Sequence, residues 1–194
     1  MKFLENPMQT MGAGFALAAV LIVGYLGMAG IGVGEANWPG LLLRWVHFLA
    51  GITWIGLLYF FNLINAGFLK SLDGPTKNIV IPKLMPAALN WFRHGATVTV
   101  FAGIALYFYL PQDRSSAIAL GIGGLLGLIM MINVHAIIWP NQQKIIAAVT
   151  AAAQGTPAPA EMAQWGRTAL LASRVNFMLS IPMLLFMGAG SHLK

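Results

Sequence analysis

The run LLLRWVHFLAGITWIGLLYFFNLINAGFL, residues 41–69, is mostly apolar and carries one charged side chain, Arg44, near its start. A helix crosses the hydrocarbon core of a bilayer with about 20 mostly apolar residues. The run therefore predicts a transmembrane helix. The spacing of His47, Gly51 and Trp54 places these three side chains on one face of that helix.

The whole chain shares this apolar character. Of its 194 residues, 58% are hydrophobic and 8% are charged, and the mean hydropathy is +0.76. A soluble domain carries about 25% charged residues, so the composition excludes a soluble enzyme, a nucleic-acid-binding protein and a disordered regulator. The net charge of +6 is better explained by Lys and Arg residues that orient the chain in a lipid bilayer.

Five runs are long enough to span a bilayer. We therefore predict an all-α integral membrane protein, a bundle of five transmembrane helices that forms a single domain over residues 1–194. The predicted spans cover about residues 12–34, 41–69, 87–110, 116–140 and 165–190. The first run has full spanning length, which argues against a cleavable signal peptide.

Two longer segments connect these spans. The polar segment 70–86 is predicted to be a loop, because it is interrupted by Gly74-Pro75 and by Pro82. In the segment 141–162, the first half is predicted to continue the preceding helix past Pro140, and the second half to be a linker.

The basic residues predict the orientation of the bundle. Cytoplasmic segments carry an excess of Lys and Arg, and with five spans the basic residues divide eight against three. One side holds Lys2, Lys70, Lys77, Lys83, Arg93, Lys144, Arg167 and Arg174, and the other holds Arg44, Arg114 and Lys194. We therefore expect the N-terminus inside and the C-terminus outside, in the inner (cytoplasmic) membrane of a bacterium.

The residue types restrict the possible cofactors. The chain has no cysteine, which excludes disulfides, iron–sulfur clusters and covalently attached haem. All five acidic residues lie outside the predicted spans. This counts against a carboxylate-bridged di-iron centre and against a proton or cation relay of carboxylates.

Four histidines form two pairs by predicted depth. His47 and His192 lie near the outer surface, and His94 and His135 lie near the inner one. Neutral imidazoles from facing helices are the axial ligands of haem b. The sequence therefore favours two haems b, each with two histidine ligands, and predicts at least one such haem.

Further residues suit the same cofactor. Arg44, one turn outward from His47, would bind an outer haem propionate, and Arg93 and Arg174 would bind inner ones. Gly51 is small enough for a macrocycle to pass, and Trp54 shares its face. Each histidine could instead be an interhelical hydrogen-bond partner.

Several runs resemble the membrane domain of bacterial membrane-bound urate hydroxylases, the urate oxidase N-terminal family. They extend from the second span to the end of the chain: HFLAGITWIGLLYFFNLINA (residues 47–66), NWFRHGATVTV (90–100), NVHAIIWPNQQKII (133–146) and SRVNFMLSIPMLLFMGAGSH (173–192). In that family a c-type cytochrome domain usually follows on the outer side. The resemblance implies a haem-dependent oxidoreductase whose electrons pass to a c-type cytochrome, and here that cytochrome would be a separate polypeptide.

The chain departs from the family pattern at its inner histidines. The positions of His94 and His135 are commonly Trp in the family. The gain of two possible ligands at one depth favours a second, inner haem, and it weakens the case for urate chemistry.

The interpretation that follows is a membrane-embedded cytochrome b that carries electrons across the bilayer. Its partners would be a c-type cytochrome or a larger respiratory complex, and at one surface a quinone. The alternative is an oxidoreductase of the urate hydroxylase type with one haem and an external cytochrome c. Its candidate substrate-binding groups would be Asn62, Asn65, Asn133 and Gln142. A CopD-like copper transporter and a purely structural subunit are further alternatives.

Overall fold

The computed structural model of the protein describes the backbone of residues 2–192 and the side chains of residues 4–190 and 192. Lys194 and the side chain of Lys2, two charges used for the predicted orientation, lie outside the described residues. Throughout the described range the chain is helical, with turns and loops between helices and no strand. The long helices are α1 (Pro7–Ala29), α2 (Trp38–Ser71), α3 (Gly74–Tyr109), α4 (Arg114–Ala152) and α5 (Met162–His192).

Four of these helices, α1, α2, α4 and α5, are long and apolar enough to cross a membrane. This finding supports a multi-pass membrane protein. The predicted third span lies almost entirely within α3, which is not among these four helices. The number of five spans and the orientation therefore stay predictions.

The chain divides into two compact units, residues 1–39 and 40–194. The first unit contains α1, whose start is capped by the Asn6 side chain; its Oδ1 accepts from the backbone N–H of Met8 at 3.0 Å. The helix ends at Ala29 because Gly30 adopts the left-handed conformation, with φ 69°. The predicted end of the first span at residue 34 was therefore five residues too late.

The second unit contains most of α2 and all of α3, α4 and α5. Each of these helices packs against the next, and α5 also contacts α2 through a hydrogen bond from Asn62 Nδ2 to Ser173 Oγ at 2.9 Å. The four helices therefore form a closed bundle. Its core is a cluster of buried apolar side chains: Trp54, Leu58, Phe92, Ala96, Val100, Met130, Val134, Ile138, Ala172 and Met183.

The predicted loop at 70–86 is wrong, because α3 begins at Gly74 and continues through Pro82 and Pro86. A proline inside a helix removes one backbone hydrogen bond and typically costs about 3 kcal/mol. Here the helix is maintained by tertiary packing, since Met85 and Leu89 of the same stretch are buried.

The prediction for the segment after the fourth span is confirmed. α4 passes Pro140 without interruption and ends at Ala152, and an irregular stretch with Gly155 at φ 90° leads to α5. Both α2 and α4 contain a π-helical turn, at Phe60–Asn65 and Val134–Ile138. Such turns occur frequently at functional sites.

The start of α3 is held by Asp73 and is expected to loosen in acid. Hydrogen bonds from the side chain and backbone N–H of Thr76 hold the pKa of the Asp73 carboxyl below its ordinary value of 3.8. A carboxyl whose pKa is lower in the folded state stabilises that state above the unfolded pKa. The contribution is lost as pH falls through the folded pKa.

We therefore expect the exchange protection of the Thr76 amide to decrease below pH 3.8, measured by hydrogen exchange and corrected for intrinsic rates. The Met8 amide is the control, because its cap is the uncharged side chain of Asn6. An equal decrease at both amides would contradict the role of the Asp73 carboxylate.

Candidate functional site

His47 of α2 is half-buried against α3. Its Nδ1 lies 2.8 Å from the backbone oxygen of Thr99. A carbonyl oxygen only accepts, so Nδ1 carries the hydrogen and Nε2 keeps a free lone pair. The ring lies against Gly103, where an added Cβ would come within 2.9 Å of His47 Cε1. A backbone carbonyl that fixes the imidazole in this way is typical of histidines that bind a metal.

The face of α2 that carries His47 is covered by α3. Trp54 is fully buried, and Gly95 of α3 approaches it so closely that an added Cβ would lie 3.3 Å from the Trp54 backbone nitrogen. A Cβ on Gly51 would lie 3.6 Å from the Thr99 methyl group. Gly51 of α2 and Gly95 of α3 therefore allow the two helices to approach closely. Arg44 is exposed, one turn away from His47.

His192 is exposed at the end of α5 and borders a shallow groove with Leu184, Leu185 and Gly188. Its Nδ1 lies 3.0 Å from the Gly188 carbonyl oxygen, so its Nε2 also keeps a free lone pair. No hydrogen bond or ring contact joins His47 to His192 in the described part of the chain. The pairing of these two histidines therefore stays a prediction.

The other two histidines contribute to one set of contacts between α3 and α4, which we call the Arg93 cluster: Arg93, His94 and Thr97 of α3, and His135 and Trp139 of α4. The guanidinium carbon of Arg93 lies 4.0 Å from the centre of the Trp139 ring. Arg93 Nη2 is 3.3 Å from His94 Nε2, and Thr97 Oγ1 is 2.9 Å from His135 Nε2. The cluster lies beside the π-helical turn of α4, which contains His135.

The hydrogen bonds fix the chemistry of both inner imidazoles. Arg93 can only donate, so His94 Nε2 accepts. The Thr97 hydroxyl donates to the Arg93 carbonyl oxygen at 3.0 Å, so His135 donates to that hydroxyl and its Nε2 carries a hydrogen. Neither Nε2 is free to bind a metal in this arrangement. Because the cluster also contains the Arg93 cation, it is better suited to an anion than to a metal ion held by these Nε2 atoms.

Arg174, predicted to lie at the same depth, is exposed and has no hydrogen bond, ion pair or ring contact with the described residues. Nowhere in the described range do three or more His, Cys, Asp or Glu residues come together as possible metal ligands.

Buried amides connect the helices of the bundle. Asn133 Nδ2 donates to Asn176 Oδ1 at 2.7 Å, and Asn176 Nδ2 donates to the Met130 carbonyl oxygen at 3.0 Å. Asn65 Nδ2 lies 3.7 Å from the sulfur of Met85. The Oδ1 atoms of Asn62, Asn65 and Asn133 are buried and have no partner among the described residues. Of the four polar residues proposed from the sequence, three therefore take part in helix contacts and keep an unused acceptor, while Gln142 is only partly buried.

Sequence reasoning missed Asn176, which is fully buried, and the α3 residues Thr99 and Gly103 that hold His47. A signal for Asn176 was present. Ser173, Asn176 and Ser180 follow at intervals of three and four residues, and the structure places them on the inward face of α5.

A comparison with known protein families finds a match that covers α4 and α5. The family model described as Urate oxidase N-terminal matches residues 112–193, a range that includes His135, Trp139 and His192. No curated protein and no solved structure matches the chain. The match supports the resemblance seen in the sequence, and over residues 112–193 the chain is similar to the urate oxidase N-terminal family.

Proposed function

We propose that this chain is a membrane oxidoreductase of the urate hydroxylase type that holds a single haem b, with His47 as an axial ligand. Its electrons would pass to a separate c-type cytochrome, or to a larger respiratory complex or quinone in the same bacterial inner membrane. The family match supports the class of protein. The observation that carries the haem proposal is the hydrogen bond between His47 Nδ1 and the Thr99 carbonyl oxygen.

The residues around His47 suit haem in three respects. The Thr99 carbonyl fixes the tautomer that leaves Nε2 free, and Gly103 gives the ring its space. Arg44, one turn away and exposed, is available for a propionate. His192 has the same tautomer and is our candidate for the second ligand. When bound, the haem would supply one-electron redox chemistry, and the chain would supply ligation and an apolar environment.

The Arg93 cluster favours one haem over two. His94 Nε2 accepts from Arg93, and His135 Nε2 donates to Thr97. A second haem would require both hydrogen bonds to break, and it would bring iron close to a guanidinium cation. The two-haem cytochrome is the second candidate, because the structure does bring His94 and His135 to one cluster.

The buried amides support an oxidoreductase with a polar substrate. Asn62, Asn65 and Asn133 each keep an amide oxygen without a partner. A buried acceptor without a donor typically costs about 1–3 kcal/mol. We propose that N–H groups of a substrate such as urate donate to one or more of these oxygens.

The test is haem quantitation together with a reduced-minus-oxidised spectrum of the purified protein. We expect about one haem b per chain, because only His47 and His192 keep a free Nε2. We also expect urate to reduce the haem, and a c-type cytochrome added afterwards to reoxidise it. Two haems per chain would establish the two-haem cytochrome. A protein without haem would overturn both candidates.

A further inference from the structure

Arg93 is a cation without an anion. It lies in a stretch of α3 that is predicted to span the membrane, and it makes no ion pair with any described carboxylate. Its Nε is buried and has no hydrogen-bond partner among the described residues. Charged groups at membrane depth are costly and are nearly always paired. The charge of Arg93 is therefore not balanced by a carboxylate in the described part of the chain.

The neighbours of Arg93 are suited to a phosphate group. The guanidinium is fixed in direction by the Trp139 ring at 4.0 Å and by His94. A guanidinium presents several N–H donors in one plane, the arrangement that binds phosphate oxygens in pairs. The Thr97 hydroxyl and the His135 N–H are already engaged with the Arg93 carbonyl oxygen and with each other, so the donors left for a phosphate are those of the Arg93 guanidinium.

The cluster is open to the surroundings of the bundle. His94 and His135 are both exposed, and the neighbouring Trp91 is 51% exposed. Trp side chains prefer the headgroup level of a membrane. The same end of the bundle carries Lys83 and Lys144, and the ammonium group of Lys144 lies 5.5 Å from the centre of the Trp165 ring.

We propose that the Arg93 cluster binds the headgroup phosphate of an anionic phospholipid. The predicted orientation places this end in the cytoplasmic leaflet, whose anionic lipids attract basic residues near the surface. Basic pockets between transmembrane helices are known lipid headgroup sites in general. The proposal does not depend on haem or on urate chemistry.

Native mass spectrometry after release from nanodiscs tests the proposal, with equal parts of phosphatidylglycerol and phosphatidylcholine as the lipid. We expect the wild-type chain to retain phosphatidylglycerol selectively. The substitution Arg93→Gln should reduce this retention about five-fold, because it removes one basic contact. The matched control is Arg174→Gln, which removes the same charge from an exposed residue with no bonded partner and should change retention less than about two-fold.

Other outcomes decide against the proposal. Equal retention by Arg93→Gln and Arg174→Gln would overturn it. If inorganic phosphate, added to the protein in phosphatidylcholine nanodiscs, binds equally well by calorimetry, the site takes free phosphate and the lipid proposal is wrong. Should Arg93→Gln fail to fold, Arg93→Lys replaces it, because an ammonium group lacks the planar set of N–H donors that binds phosphate oxygens in pairs. Unchanged lipid retention by this variant would also overturn the proposal.

Discussion

Replacing Gly95 with valine is expected to destabilise the bundle by about 3 kcal/mol or more. A Cβ at this position would lie 3.3 Å from the Trp54 backbone nitrogen and 3.4 Å from the Ala50 carbonyl oxygen. These are backbone atoms of α2, so no side-chain rotation relieves the contact. The two helices would have to separate, and the buried ring of Trp54 would lose its packing.

The matched control for this prediction is Gly56→Val on α2, where an added Cβ meets nothing within 4 Å. Valine has a slightly better helix propensity than glycine, so this variant should be neutral or stabilised by a few tenths of a kcal/mol. The measurement is the free energy of unfolding in mixed micelles with increasing dodecyl sulfate. Equal stabilities for the two variants would show that the close approach at Gly95 does not hold the bundle together.

The buried face of α2 could be predicted from the sequence. Trp54, Leu58, Asn62 and Asn65 follow at intervals of three and four residues, and the structure buries all four. Helical periodicity is a local property, so the sequence reveals it. Which helix covers this face depends on the tertiary structure, and the spacing of residues within α2 does not reveal it. The α3 residues Gly95, Thr99 and Gly103 were therefore not identified as the surface that receives it.

The helix ends show where local signals are insufficient. Pro82 predicted a break, but α3 continues through it, because buried neighbours outweigh a local penalty. Gly30 adopts the left-handed conformation that commonly ends a helix, so α1 ends earlier than its apolarity alone suggested. Apolarity therefore predicted the central parts of the long helices, while capping and packing decided where the helices begin and end, as in the polar start of α3.

The common depth of His94 and His135 was a useful prediction, because the structure brings both residues to the Arg93 cluster. Their role as haem ligands stays a prediction. Arg93 and Thr97 determine which ring nitrogen is a donor and which is an acceptor. The directions of these hydrogen bonds depend on side-chain geometry between two helices, which residue spacing does not contain.

Replacing His47 with alanine is expected to lower the haem content of the purified protein from about one per chain to nearly zero. The reason is that the Thr99 carbonyl holds His47 in the tautomer with a free Nε2, and an axial imidazole is the main bond that retains a non-covalent haem b. The measurement is haem quantitation per chain, together with the reduced-minus-oxidised spectrum. Haem-free samples of the two proteins should differ in unfolding free energy by no more than about 2 kcal/mol, since a side chain hydrogen bond contributes about 1 kcal/mol and bound haem would itself add stability.

Two further variants separate ligation from structure. Gly103→Ala keeps His47 but places a Cβ 2.9 Å from its ring, so the imidazole must move. We expect this variant to retain haem with a shifted reduction potential, because the orientation of an axial ligand tunes the iron. The control is His94→Gln, which should leave haem content and potential unchanged, because His94 Nε2 is occupied by Arg93. Full haem content in His47→Ala, or loss of haem in His94→Gln, would assign the iron to the inner histidines instead.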